Sequence, residues 1–340
     1  MDSARLKAIC QDYATLRVAV FGDFCLDRYL EIDPAREETS LETGLPAHQI
    51  TRVRSQPGGA GTVAGNVAAL GVRRLVAVGF CGHDGEGFEL TNALDSIGAE
   101  TEHFLQTTDR CTFTYCKPLV IQPPKPPREL NRLDTKNWTP TPPAVEQALI
   151  DHLHALMGSV DLVLILEQME RVGCGAVTPR IKQELATLAD ANPNTVFLAD
   201  SRANIGTFRN VTIKVNDKEL ASHFDLDPQH VENPTRWIAR WASEIGRCVF
   251  VTFGPEGIMA ATPDGQVARV SGIELTGPLD VVGAGDAVSA NVGCALAAGA
   301  TAPEAAMIGN LAGSIVVQKI GTTGTASADE LIDAFSKHIG

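Results

Sequence analysis

The chain has 340 residues, of which 44% are hydrophobic and 20% charged, and its formal net charge is -13 at pH 7. This composition is ordinary for a soluble globular protein and leaves room for one large α/β domain or two smaller ones. The negative charge disfavours nucleic acid and anionic membranes as partners, because both require a basic face. The longest strongly apolar stretches, such as residues 162–166, are far too short to span a bilayer.

The eight cysteines are scattered along the chain without a Cys-x-x-Cys pair. This spacing argues against structural zinc, and a disulfide framework is not expected in a chain of this length. The N-terminal residues lack the charged-then-apolar pattern of a signal peptide. We therefore expect a cytoplasmic protein with reduced thiols.

The pattern of apolar residues predicts strands and helices that alternate along the chain. Strands are expected at 17–22, 75–79, 112–121, 162–166, 196–199, 212–215 and 248–253, with a short strand at 130–133 and a hairpin around 263–265. Helices are expected after the glycine turn at 58–59 and at 85–97, 139–157, 179–189, 217–223, 234–245, 287–298 and 303–319. This order predicts an α/β fold with a mostly parallel sheet covered by helices on both faces. The segments 27–54 and 111–134 depart from this alternation of strands and helices, and we expect them to form one β lid.

The most informative pattern lies near the C-terminal end. An apolar pair at 281–282 runs into the turn Gly283-Ala284-Gly285, and Asp286 stands where the next helix begins. Backbone N–H groups and the helix dipole favour an anion at such a junction. The three N–H groups of residues 284–286 would hold a transferring phosphoryl group while Asp286 takes a proton from an attacking hydroxyl.

Two other interpretations fit the same residues. An aspartate in the first helical turn stabilises the helix dipole without any chemistry. A dinucleotide site is disfavoured because the third glycine position of its fingerprint holds Val288.

Other polar residues follow predicted strands. Asp27 follows a strand that ends in glycine, and a carboxylate there can accept two sugar hydroxyls or simply pair with Arg28. Asn216 and Glu219 lie three residues apart on one helix face, where they can hold the waters of a Mg²⁺ ion, cap the helix, or do both.

The glycines Gly58 and Gly59 would let the backbone pass close to a ligand, and Asn66 lies one to two helical turns later and could face the same pocket. Packing of small residues explains the same pattern. The scarce basic residues Lys117, Arg132 and Arg202 are candidates for a clamp on a substrate phosphate, or for solvated surface charges.

Taken together, these motifs resemble the ribokinase superfamily of phosphofructokinase-B-type sugar kinases over residues 15–330. Five segments carry the resemblance, namely 22–29 (GDFCLDRY), 57–66 (PGGAGTVAGN), 216–219 (NDKE), 251–257 (VTFGPEG) and 280–286 (DVVGAGD). Within the superfamily the first segment looks most like the heptose-7-phosphate kinases of ADP-heptose synthesis, and so do 130–134 and 317–322. The resemblance implies a ribokinase-like three-layer fold and one kinase domain over residues 1–340, with the lid at 27–54 and 111–134.

The resemblance also implies an ATP-dependent kinase acting on a small sugar or sugar phosphate, with Mg²⁺ and a monovalent cation such as K⁺. Asp286 would be the general base beside an anion hole at 283–286, and the sugar would contact Asp27, Gly58, Gly59, Asn66 and Arg132. Nucleotide-binding positions would be Lys214, Asn216, Thr252, Gly254, Gly257, Asn310 and Gly313. Metal ligands would be Asn216 and Glu219 for Mg²⁺, and Asp280 for K⁺.

The sequence departs from the family pattern at three places. Thr62 stands where the family usually has a sugar-binding Asn, extra residues intervene at 169–173, and Asp280-Val281-Val282 replaces the usual Asp-Thr-Thr or Asp-Thr-Val. These departures predict an altered sugar pocket. They also leave open a regulator of the same fold that binds sugar or nucleotide without turnover. A nucleoside kinase is a further alternative, although the segment around Asp27 is too polar for a base clamp. An exposed lid edge would allow a homodimer.

Overall fold

The computed structural model describes residues 1–202, 204–227, 231–321 and 323–339. Thr322, which ends one of the motifs above, lies outside these ranges. Within them the α-helices are α1 (Ser3–Asp12), α2 (Ala60–Ala69), α3 (Gly85–Ser96), α4 (Pro143–Leu156), α5 (Pro179–Ala191), α6 (Asp217–His223), α7 (Pro234–Ile245), α8 (Ala284–Ala297), α9 (Ala302–Val316) and α10 (Ala328–His338). Among the described residues, no helix has both the length and the apolar character needed to cross a membrane.

The strands of the described residues are β1 (Arg17–Gly22), β2 (Phe24–Ile32), β3 (Glu38–Thr39), β4 (Pro46–Ala47), β5 (Ile50–Gly59), β6 (Arg74–Gly82), β7 (Phe104–Thr107), β8 (Thr114–Val120), β9 (Arg128–Glu129), β10 (Leu133–Thr135), β11 (Leu162–Glu167), β12 (Val196–Ser201), β13 (Thr212–Asn216), β14 (Val249–Thr252), β15 (Gly257–Ala261) and β16 (Val267–Ser271).

The large sheet has the strand order β16-β15-β14-β13-β12-β11-β1-β6-β7. From β14 to β7 the strands are parallel, and β15 and β16 form an antiparallel hairpin at one edge. The chain therefore winds outward in both directions from β1 and β11. In open parallel sheets ligands bind beyond the carboxyl ends of the strands at the point where the winding direction changes.

Successive side chains along each strand point to opposite faces of the sheet, and this divides the core into two layers. In β1, Val18 and Val20 pack on one face of the sheet, whereas Ala19 and Phe21 pack on the other. The first layer includes residues of α1, α2, α8, α9 and α10, and the second includes residues of α4, α5 and α7. The predicted α/β fold with a mostly parallel sheet between two helical layers is confirmed.

A smaller sheet with the order β10-β8-β2-β5 stands beside the large one, and β9 pairs with β8. It takes strands from both segments of the expected lid. Asp27 in β2 is aligned with Gln56 in β5 and with Tyr115 in β8. Because aligned residues share a face, these three side chains lie on one side of the lid, which we call the inner face.

Several predicted boundaries were wrong. Residues 58–59 end strand β5 instead of forming a turn, and 130–132 lie between β9 and β10. Helix α8 begins at Ala284, three residues earlier than expected. The terminal helices α1 and α10, and strand β7, were not predicted. Both helices are short and amphipathic, and they gain their stability by packing on the first core layer through Leu6 and Leu331.

Candidate active site

Polar residues gather at the carboxyl ends of β1, β11, β12, β13 and β14, and some of them are sequence-predicted site residues. Each of these strands is buried and ends in or is followed by a polar residue, such as Asp23, Gln168, Asp200 or Asn216. The N-terminus of α8 and the inner face of the lid complete the site. This is the position that the sheet topology favours for a ligand.

The first turn of α8 is the place where the sequence predicts an anion site. Gly283 precedes the helix with φ of +79°, a left-handed conformation that glycine adopts without strain. The N–H groups of Gly285 and Asp286 have no acceptor within the helix, as in any first turn. The N–H of Ala284 instead donates to the carbonyl of Val281 at 3.2 Å. In this turn the N–H groups of Gly285 and Asp286 are therefore open to an anion, whereas the Ala284 N–H, which was also expected to face one, already donates within the protein.

A buried ion pair lies directly below this turn. Lys214 Nζ donates to Asp200 Oδ2 at 2.9 Å, and Ser289 Oγ of α8 donates to the same oxygen at 2.6 Å. Burial lowers the pKa of Lys214, but the charge and hydrogen bond of Asp200 outweigh burial and raise it, so the ammonium group stays charged. Its Nζ would lie only 3.1 Å from a Cβ placed on Gly285, which puts a fixed positive charge beside the free amides.

Asp286 is half-buried in the first turn of α8, next to that ammonium group. The pKa of Asp286 is raised to about 7, chiefly by burial and next by the charge of Asp200, while Lys214 and Arg202 oppose the change. The charge of Asp27 also raises this pKa, so the two carboxylates lie within electrostatic reach. A carboxylate with a pKa near neutral is suited to general-base chemistry.

Asp27 lies on the inner face of the lid. It is 8% exposed, and Lys117 Nζ lies 2.7 Å from its Oδ1. Burial lowers the pKa of Lys117, but Asp27 outweighs this effect and the pKa is raised. A Cβ on Gly58 would lie 2.7 Å from Asp27 Oδ2, so only glycine fits beside this carboxylate. The structure therefore brings Asp27 and Gly58 together.

Asn216 and Glu219 form a reciprocal capping box at the start of α6. Asn216 Oδ1 accepts from the Glu219 N–H at 2.9 Å, and Glu219 Oε2 accepts from the Asn216 N–H at 2.8 Å. Burial raises the pKa of Glu219, and the charge of Asp200 adds to this effect. Both residues line an open cleft of about 530 Å³ together with Arg202. One carboxylate and one amide suit Mg²⁺, which takes few protein ligands and keeps several waters.

The remaining predicted nucleotide positions lie at and beyond the end of β14 and on α9. Thr252 ends β14 in register with Asn216, and Gly254 and Gly257 follow it. Asn310 in α9 donates from Nδ2 to the Ser271 carbonyl at 2.9 Å, so its amide is tied to the end of β16.

Of three other predicted residues, Gly313 and Asp280 lie near α8 and Arg132 lies on the lid. A Cβ on Gly313 would lie 3.3 Å from Val288 Cγ2 of α8. Asp280 precedes α8, and its Oδ1 accepts from the Val282 N–H at 3.0 Å. Arg132 pairs with Asp134 at 2.8 Å on the lid.

Two predicted sugar contacts are placed differently from the expectation. Asn66 is completely buried in α2, where its Nδ2 donates to the Thr62 carbonyl, so it offers no surface to a pocket. A Cβ on Gly59 would lie 2.5 Å from the Asp23 carbonyl, so this glycine serves a close backbone approach.

Sequence reasoning missed Asp200, which organises Lys214 and Ser289 beneath the anion hole. The available signal was its position after the apolar strand β12, at the sheet edge where the other polar residues lie. Gln56 and Tyr115 were missed for a different reason. Their places beside Asp27 depend on strand alignment in the lid, which the sequence does not state.

Comparisons with known proteins agree with this architecture. Phosphofructokinase-2 from Escherichia coli, solved in complex with potassium, superposes with a TM-score of 0.73 at 17% identity and covers 95% of this chain and 99% of its own. Ribokinase from Arabidopsis thaliana, solved with ribose and ATP, gives a TM-score of 0.67 at 16% identity over 94% and 98% of the two chains. The molecule therefore has a ribokinase-like fold.

Sequence comparison gives the family. Residues 16–329 match the pfkB family carbohydrate kinase, and the chain belongs to that family. Bifunctional protein HldE of Trichlorobacter lovleyi is 27% identical over 338 residues, which are 99% of this chain and 66% of that protein. Bifunctional protein HldE of Hyphomonas neptunium is 30% identical over 337 residues, 98% of this chain and 66% of that protein. The chain thus spans about two thirds of the length of these relatives. The resemblance to the ribokinase superfamily and the prediction of a sugar kinase are confirmed.

Proposed function

We propose that the chain is an ATP-dependent kinase that transfers the γ-phosphate of ATP to a hydroxyl of a small sugar or sugar phosphate. One observation carries the proposal. Asp286, whose pKa is raised to about 7, lies at a helix N-terminus beside the charged Lys214 and within electrostatic reach of Asp27. A base, an anion site and a polyol-binding carboxylate are the three groups that this transfer requires.

In the proposed reaction the acceptor hydroxyl oxygen forms a bond to the γ-phosphorus, and the bond between that phosphorus and the β,γ-bridging oxygen breaks. Asp286 receives the hydroxyl proton, and ADP leaves with the bonding electrons. The N–H groups of Gly285 and Asp286 and the ammonium group of Lys214 stabilise charge on the phosphoryl oxygens. Asp27 orients the acceptor so that one hydroxyl faces Asp286.

The donor set supports the expected cations. Asn216 and Glu219 would hold a hydrated Mg²⁺ bound to the nucleotide phosphates, and the ion would neutralise charge on the leaving group. Asp280 would hold a monovalent cation such as K⁺ near the start of α8. Thr252, Gly254, Gly257, Asn310 and Gly313 would line the nucleotide.

The test measures ADP release with a panel of neutral sugars and sugar phosphates. With a working acceptor, Asp286→Asn should lower kcat by roughly 10²–10⁴-fold, while a non-hydrolysable ATP analogue binds with unchanged affinity. Asp329→Asn is a matched control, because Asp329 also occupies a first helical turn but belongs to α10. Unchanged turnover in the Asp286 variant would refute the general-base role.

The same panel separates the alternatives. Binding of sugars without ADP release from any of them would favour the regulator, which the departures at Thr62 and 169–173 motivate. Turnover of nucleosides in preference to sugars would favour the nucleoside kinase.

We also propose a cytoplasmic homodimer that pairs through the lid. Val53 of β5 and Leu133 of β10 are 46% and 65% exposed on the outer face of the lid. A second copy would cover these apolar side chains. Light scattering should give twice the chain mass, and a Val53→Glu substitution should give the monomer mass.

A further inference from the structure

The carboxylate of Asp23 is buried at the point where the central strand β1 passes into the lid. It is 5% exposed and accepts three main-chain hydrogen bonds from a single downstream segment. Oδ2 accepts from the N–H groups of Gln168 and Met169, both at 2.8 Å, and Oδ1 accepts from the N–H of Ala176 at 2.6 Å. Asp23 therefore closes the loop at 168–176 at both ends.

The main chain of Asp23 joins two further parts of the site. Its N–H donates to the Leu166 carbonyl at 3.0 Å, and its carbonyl accepts from the Ala60 N–H at 3.0 Å. One residue thus connects the end of β11, the start of α2 beside Gly58, and the loop at 168–176. A rigid common anchor fixes these three segments relative to one another.

The anchored loop reaches the inner face of the lid. Met169 and Cys174 pack with Cys25 and Phe113, which lie on that face. Gln168 is also buried, and its Nε2 lies 3.4 Å from the hydroxyl oxygen of Tyr115, the strand neighbour of Asp27. The loop therefore packs against the inner face of the lid and brings the Gln168 amide to the hydroxyl of Tyr115.

Only a carboxylate satisfies all three donors. A carboxylate offers two acceptor oxygens, whereas the asparagine amide offers one oxygen and would turn an NH₂ group toward another N–H. Burial of this carboxylate is unfavourable for its charged form. The pKa of Asp23 is raised to about 6 because the effect of burial outweighs the three amides, which lower it. A Cβ on Gly175 would lie 2.2 Å from Oδ1, so the loop backbone must also lie directly against the carboxylate.

We propose that Asp23 is a positioning residue for the acceptor. By holding the loop at 168–176 it places Gln168 and Tyr115 beside Asp27 and so sets the shape and hydrogen bonding of the sugar pocket. This inference rests on the proposed kinase function. It assigns acceptor selection to the loop in which the chain departs from the family pattern, at 169–173.

The first test detects release of the loop without any catalytic assay. Arg171 is exposed within the loop and provides a trypsin site. Asp23→Asn should accelerate cleavage after Arg171 by at least about 10-fold, because local opening exposes the anchored backbone. The matched control is Asp161→Asn, since Asp161 also accepts a backbone N–H, from Arg17 at 2.8 Å, at the opposite end of β11. Equal cleavage rates in the wild type and the Asp23 variant would overturn the anchor.

The second test measures the role in acceptor binding. Asp23→Asn should raise the KM for the acceptor by about 10-fold or more and leave the affinity for a non-hydrolysable ATP analogue within about 2-fold, as expected for a lost positioning contact. Gln168→Ala should raise the acceptor KM without changing the cleavage rate. Equal losses in acceptor and nucleotide binding would indicate a merely structural role and would overturn the proposal.

Two further outcomes are distinguishable. If the Asp23 variant does not fold, Gly175→Ala tests the same contact, because the added methyl group displaces the loop from the carboxylate. It should accelerate cleavage after Arg171 and raise the acceptor KM in the same way, and normal values for both would overturn the proposal.

If the wild type turns over no acceptor, the proposed kinase function fails and acceptor positioning fails with it, whereas the proteolysis result still decides whether Asp23 anchors the loop.

Discussion

Replacement of Asp286 by asparagine should make the protein more stable at alkaline pH while it lowers kcat. In the folded state the pKa of Asp286 is raised from 3.8 to about 7, chiefly by burial. An acid that holds its proton more tightly when folded destabilises the fold once it ionises. The penalty is absent below about pH 4, grows between pH 4 and pH 7, and is complete above pH 7.

The magnitude follows from the same pKa values. The change from 3.8 to about 7 corresponds to roughly 4 kcal/mol at 1.36 kcal/mol per pKa unit. Because the side chain is only half-buried, solvent screens part of this penalty, and we expect about 2 kcal/mol. With an unfolding entropy of about 2.1 cal/mol/K per residue, this gain raises Tm by roughly 3 °C.

The assay is thermal unfolding of the wild type and Asp286→Asn at pH 5.5, 7.0 and 8.5. The Tm difference should be smallest at pH 5.5 and largest at pH 8.5. In parallel, kcat/KM of the wild type should fall below an apparent pKa near 7, because protonated Asp286 cannot accept the hydroxyl proton. A variant that is less stable than the wild type at pH 8.5, or a gain in Tm that is larger at pH 5.5, would contradict the conclusion that burial raises the pKa of Asp286.

Two further substitutions test the acceptor and metal sides of the site. Gly58→Ala should raise the acceptor KM by about 10-fold or more with an unchanged ATP KM, because its Cβ would lie 2.7 Å from Asp27 Oδ2 and displace it. Steady-state kinetics checks this, and Gly65→Ala, whose Cβ would meet its nearest atom only at 4.0 Å, is the control that should change neither constant. Glu219→Gln should raise the Mg²⁺ concentration needed for half-maximal rate by about 10–100-fold, because the amide lacks the negative charge that favours the hydrated ion. A magnesium titration of initial rates checks this, and an identical titration curve for the variant would exclude Glu219 from the metal site.

The parts of this molecule that sequence predicts are those specified over short distances. The α/β order follows from local apolar periodicity, and the anion site follows from glycines that immediately precede Asp286. Asn216 and Glu219 were also recognisable, because both the capping and the metal interpretation depend on a spacing of three residues. The structure contains the capping box, and the metal role stays a prediction.

Other parts depend on contacts between distant segments. The Asp200–Lys214 pair joins neighbouring strands, and Asp23 accepts from amides about 145 residues later in the chain. No local sequence pattern therefore predicts either role. The placement of Asn66 illustrates the opposite error. Its spacing from Gly59 suggested a pocket residue, but the rotation of α2 turns its amide into the protein interior.

The central strand β1 ends at Gly22 and the lid strand β2 begins at Phe24, with Asp23 alone between them. The lid is thus joined directly to the central strand and not through a flexible linker. A rotation of the lid relative to the large sheet would change the backbone at Asp23, whose side chain also holds the loop at 168–176. Because one residue belongs to both connections, we expect a movement of the lid to be accompanied by a movement of that loop.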